Sequence, residues 1–151
     1  MKTLLIVYHT GGVKTARMAE AVERGARGED DVEVVVKRCA DAGPDDLLAA
    51  DALILGTPEN FGYMSGMMKD FLERVFYACE GKVNGRPYAL FVGAGLDGTG
   101  AVASVERIMT GLRLKKVHEP VIGLKDLTPE ITQHCEQLGA AIAAGLALGV
   151  F

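Results

Sequence analysis

The chain has 151 residues, 49% of them apolar, and carries 16 Lys plus Arg against 20 Asp plus Glu. A net charge of −4 with only three His leaves no basic field to hold a phosphodiester backbone, which argues against nucleic acid as a partner. The uncharged stretches, residues 138–151 included, fall short of the roughly 20 apolar residues that a spanning helix needs, so no membrane span is expected.

The first apolar run, residues 3–8, reads as a buried strand. Its core from Leu4 to Val7 is shorter than the roughly 7–15 residues of a secretory signal, and the expected location is the cytoplasm. Thr10, Gly11, Gly12, Val13, Lys14 and Thr15 follow, before a helix with Ala19, Val22 and Ala26 on one face. Two glycines, two threonine hydroxyls and a run of N–H groups at a helix start suit a phosphate dianion, although an ordinary Thr-capped turn has the same look. Lys14 either counters that phosphate or is a solvated lysine. In this loop neither the nucleotide P-loop nor the dinucleotide Gly-x-Gly-x-x-Gly spacing is present, so any phosphate here belongs to a mononucleotide.

A second strand is expected over residues 32–37 and a third over 52–56. After the third comes a loop containing Pro58, Glu59, Asn60, Phe61 and Gly62. Phe61 and Tyr63 either lie against a flat ligand or plug the end of the core, and Glu59 and Asn60 either bond a ligand or face water. The helix that follows, about residues 65–80, carries Met64, Met67, Met68, Phe71, Leu72, Val75, Phe76 and Cys79 as one apolar stripe.

The fourth strand, residues 88–93, runs into Gly93, Ala94, Gly95, Leu96, Asp97 and Gly98, where glycines let the backbone approach a ligand closely. Asp97 suits a turn better than a ligand. Val102, Val105, Met109 and Leu112 mark the next helix, residues 116–122 a fifth strand, and Thr128-Pro129-Glu130 the capped start of the last helix. Cys39, Cys79 and Cys135 lack the spacing of a zinc site or a disulfide framework and read as reduced structural thiols. Strands alternating with helices imply one α/β domain over 1–151: a doubly wound, five-stranded parallel sheet of order 2-1-3-4-5 with helices on both faces. In that order the three loops after strands 1, 3 and 4 leave the same sheet edge, and their convergence argues for one site.

Residues 56–72, Gly-Thr-Pro-Glu-Asn-Phe-Gly-Tyr-Met-Ser-Gly-Met-Met-Lys-Asp-Phe-Leu, resemble the flavodoxin-like superfamily, and more closely its NAD(P)H:quinone reductase branch of the tryptophan-repressor-binding-protein type. The likeness runs from the first strand through the fourth loop and weakens after about residue 100. It implies FMN as cofactor, its phosphate held by Thr10, Gly11, Gly12, Val13, Lys14 and Thr15. The isoalloxazine is then bordered by Pro58 through Gly62 on one side and Gly93 through Gly98 on the other. The resemblance further implies NAD(P)H as reductant and a quinone or similar small molecule as acceptor. Gly11, Gly12 and Val13 depart from the usual phosphate loop, and His118 is out of register with the branch's flavin-side histidine, so that role is not transferred.

The alternative is a flavodoxin, a one-electron carrier between partner proteins. Carriers usually sandwich the flavin between aromatics within a strongly acidic surround, whereas this chain has no Trp and no aromatic in residues 93–100. A receiver domain of the same topology is set aside, because His9-Thr10 and Thr57-Pro58 stand where its acidic pair and phosphoacceptor would be. A flavin-free binding protein of this fold stays open. The Met-rich helix and residues 138–151 offer more apolar surface than a small sheet covers, so a homodimer or larger homo-oligomer is expected.

Overall fold

The computed structural model describes residues 1–151. In chain order it consists of β1 (Lys2–Tyr8), α1 (Lys14–Ala26), β2 (Val32–Arg38), α2 (Pro44–Ala49), β3 (Ala52–Asn60), β4 (Tyr63–Met64), α3 (Gly66–Cys79), β5 (Pro87–Ala94), α4 (Thr99–Gly111), β6 (Lys115–Lys116), β7 (Val121–Leu124) and α5 (Pro129–Leu148). The sheet order is β2-β1-β3-β5-β6, with β7 also paired to β5. All of these pairings are parallel, and the expected doubly wound order therefore stands.

Central strands covered on both faces have no polar side to show, which is why β5 is buried at all eight positions. Its alternate residues feed two separate cores. Leu90 joins Leu5, Leu53, Met68, Phe71 and Val105 beneath α2, α3 and α4, while Phe91 joins Ile6, Ile54, Met18 and Ile142 beneath α1 and α5. Gly56 exists for this packing, since a β-carbon there would lie 2.0 Å from the Phe91 ring.

The predicted cap at Thr128 forms, and Ser65 supplies a second one. Ser65 accepts from the Met68 N–H at the start of α3, and Thr128 accepts from the Ile131 N–H at the start of α5. The helices α1 and α5 approach closely because two glycines interlock. A β-carbon on Gly139 would meet the Val22 carbonyl at 2.0 Å, and one on Gly25 the Glu136 carbonyl at 1.9 Å.

Two elements differ from the sequence reading. The fifth strand, expected as continuous over residues 116–122, is split into β6 and β7, with Val117, His118, Glu119 and Pro120 between them. Pro120 lacks the N–H that a continuous ladder needs. The stretch from Pro58 to Gly62, read as a loop, is instead the end of β3 and the turn of a hairpin, with Glu59 paired to Met64 and Asn60 to Tyr63. Phe61 and Gly62 form the two-residue turn with φ of 54° and 69°. Two successive positive φ values give the turn the twist a tight hairpin requires.

Candidate functional site

A crevice of about 390 Å³ opens at the carboxyl edge of the sheet, between β1 and β3, where the strand order reverses. It is lined by residues 10–15, by Pro58 and Asn60, and by Gly93, Ala94 and Gly95. Three segments singled out separately in the sequence thus share one cavity.

The first wall is the start of α1. Its cap position, Val13, offers no side-chain acceptor, and no acidic residue stands in the first turn. The backbone N–H groups of residues 11–16 find no acceptor within the chain. Unpaired donors at a positive helix end are an anion cradle. Thr10 shapes the turn by donating its hydroxyl to the Gly12 carbonyl at 2.8 Å. The Thr15 hydroxyl lies 2.7 Å from where a Gly93 β-carbon would be, so Gly93 makes room for it.

Lys14 is the one charged side chain in the lining, and its Nζ donates to the Ala94 carbonyl at 2.9 Å, bridging the crevice from α1 to β5. Burial lowers its pKa, an effect that Asp126 partly offsets. Burial, and then Arg38, also hold the His9 imidazole below its ordinary range. Lys14 rather than His9 therefore brings the positive charge at neutral pH.

The start of α4 is the opposite case. Its cap, Gly98, is left-handed (φ 77°) and has no side chain, and two carboxylates fill the vacancy. Glu59 accepts from the Gly98 N–H at 3.2 Å and the Ala101 N–H at 3.0 Å, and Asp97 accepts from the Thr99 N–H at 3.0 Å. The bonds from the Thr99 N–H and then the Thr99 hydroxyl hold the Asp97 carboxyl below its usual range. Of the two glycine-rich helix starts at this edge, only that of α1 can receive an anion.

Glu59, Phe61, Gly62, Leu96, Asp97 and Gly98 lie outside the lining. Glu59 and Asp97 are engaged with α4, which gives Asp97 its turn role. Phe61 is fully exposed at the hairpin tip, which removes the core-plug reading, and Leu96 is 80% exposed on the facing turn. His118 bonds the carbonyl of its neighbour Glu119, away from the crevice. The bracket made by Glu59 had no signal in the sequence, because its partners stand 39 and 42 residues downstream.

Burial pushes the thiols of Cys39 and Cys135 up to about 12, as expected of structural cysteines. No group of His, Cys, Asp and Glu is arranged to hold a metal ion, and no helix is long and apolar enough to cross a membrane.

The family model for NADPH-dependent FMN reductases matches residues 40–126. A flavodoxin from Aquifex aeolicus is 28% identical over 99% of this chain and 90% of its own length. An NAD(P)H dehydrogenase (quinone) from Acidithiobacillus ferrooxidans is 33% identical over 61% of this chain and 56% of its own. Among solved structures, an archaeal flavodoxin superposes with a TM-score of 0.85 at 25% identity, covering 95% of this chain and 98% of that one.

Proposed function

The chain belongs to the NADPH-dependent FMN reductase family, and from that premise we propose that it is an FMN-dependent oxidoreductase that draws electrons from NAD(P)H and delivers them to a quinone or similar small acceptor. The observation that carries this is the uncapped, acid-free start of α1 opening into the same crevice as β3 and β5. FMN, when bound, supplies the redox chemistry.

The chain's own residues supply position and electrostatics. The N–H groups of residues 11–16, the hydroxyls of Thr10 and Thr15 and the Lys14 ammonium fit the phosphate. Pro58 and Asn60 border the ring on one side, and Gly93, Ala94 and Gly95 on the other. Phe61 and Leu96 stand exposed at the rim, where an apolar ring edge would cover them. The turn at residues 95–98 places no aromatic over the crevice, so a nicotinamide and then an acceptor can reach the ring in succession.

A one-electron carrier is the second reading, favoured by the likeness to the Aquifex flavodoxin over nearly the whole chain. Anaerobic stopped-flow mixing of the FMN-loaded protein with NADH and NADPH separates the two. Rapid bleaching of the flavin absorbance supports the reductase, and a protein bleached only by a one-electron donor is a carrier.

The same reading takes residues 1–151 as one cytoplasmic domain that self-associates. The stripe on α5 is covered by α1, so its Leu138, Ile142 and Leu146 are not available. The expected contact is instead the groove between α3 and α4, where Phe76, Tyr77 and Ile108 line about 290 Å³ of open space. Light scattering at micromolar concentration tests it, and a 16.0 kDa species would refute self-association.

A further inference from the structure

Along β3 the side chains alternate, so Pro58 and Asn60 face the crevice while Glu59, between them, faces α4. Its two carboxylate oxygens take the Gly98 and Ala101 N–H groups, which ties the wall bearing Pro58 and Asn60 to the turn that follows Gly95. Two further contacts run in parallel. The Met64 N–H donates to the Ser104 hydroxyl at 3.1 Å, and Gly100 packs so closely on the turn that a β-carbon would lie 2.0 Å from the Gly62 carbonyl.

The hairpin needs such support. Its pairing is only two residues long, and its turn holds Phe61, a bulky residue, at a positive φ. A short two-stranded ribbon has little stability of its own, and the left-handed conformation is unfavourable for a non-glycine residue. A carboxylate at the positive end of a helix, accepting two N–H bonds, is the strongest of the three ties.

We infer that Glu59 is a positioning residue that fixes the gap between the two walls of the crevice and thereby sets how the flavin ring is held. This rests on the reading of the crevice as the FMN site. The clamp acts on the ring and leaves the phosphate to α1, so its loss has a signature that phosphate-loop changes lack. Ring-holding affects FMN and riboflavin alike, whereas phosphate-holding affects FMN alone.

The test is fluorescence titration of the purified full chain with FMN and with riboflavin, using wild type, Glu59→Gln and Glu59→Ala, with inorganic phosphate as a competitor. Glu59→Gln keeps the length but loses the charge and one acceptor. It is expected to weaken FMN and riboflavin by the same factor, about threefold, and Glu59→Ala by about tenfold. Competition by phosphate should be unchanged. The visible circular dichroism of the saturated complex should shift, which a simple loss of folding stability would not produce.

Ser104→Ala, which cuts the second tie without touching the crevice, should move both flavins in the same direction by less. Unchanged affinities and spectrum in both Glu59 variants overturn the inference, as does a loss confined to FMN. A wild type that fails to bind either flavin removes the FMN reading itself, and the inference with it.

Discussion

The Thr15 hydroxyl and the α-carbon of Gly93 are packed so closely that no β-carbon fits between them: it would stand 2.7 Å from the oxygen. Thr15 is 3% exposed and β-branched, so it has little freedom to turn away. Gly93→Ala should therefore displace the hydroxyl and weaken FMN about tenfold, or roughly 1–2 kcal/mol. Fluorescence titration measures this, and riboflavin, which has no phosphate, should be much less affected.

Replacing Lys14 by Met removes the only charge in the crevice lining and the bond to the Ala94 carbonyl. FMN should bind about tenfold more weakly, in line with about 1.5–3 kcal/mol for a hydrogen bond to a charged group, and lose much of its salt dependence. The pH dependence has a definite sign. Burial places the Lys14 pKa below the ordinary lysine value, so the wild type's advantage is present at neutral pH and fades as pH rises through that lowered pKa. Titrations across the alkaline range compare the two proteins directly.

How much of this was legible in the sequence depends on whether the signal was local. Gly11, Gly12 and Thr15 follow a buried strand and open a helix, so a candidate anion cradle could be read from adjacent residues. Thr128, followed by Pro129, announced the last helix for the same reason. Glu59 could not be assigned, because its acceptor role is defined by N–H groups that only the doubly wound topology brings to it. The hairpin was missed because its turn pairs Phe61 with Gly62, and an aromatic at positive φ lacks the Asn-Gly chemistry that identifies such turns. The apolar composition of residues 138–151 suggested a free surface, but Leu138, Ile142, Ala143 and Leu146 are buried where α5 packs on α1, while the end of the stretch, Leu148 and Val150 among it, stays exposed.

Leu96→Trp tests access to the ring. Leu96 is 80% exposed and outside the crevice lining, so FMN affinity should change less than about threefold. An indole over the opening should slow reduction by NAD(P)H at least about tenfold, and stopped-flow traces report it directly. Equal reduction rates would show that the nicotinamide does not reach the ring beside residues 95–98.

Far from the crevice, Gly139→Ala places a methyl group 2.0 Å from the Val22 carbonyl. Backbone cannot yield as a flexible side chain does, so α5 must move off α1 at a cost of about 2–4 kcal/mol. Urea denaturation should show a lower midpoint with an unchanged slope.

The cysteines provide a probe of that transition. With Cys39 and Cys135 pushed up to about 12 and Cys79 raised by burial as well, all three are thiols at neutral pH and all are buried. A thiol-specific reagent at pH 7 should leave the native protein unlabelled and modify it only on unfolding, at a rate that rises in Gly139→Ala.

The break in the last strand also bears on how the molecule can meet its own kind. An open sheet invites another chain to add a strand wherever a long, flat edge is offered. On one side that edge consists of two residues, Lys115 and Lys116, and then, beyond Pro120, four more. Charge, interruption and a missing N–H together deny a template there. Lengthening of the sheet from copy to copy is thereby confined to β2, where Glu33, Lys37 and Arg38 stand among Val32, Val34, Val35 and Val36.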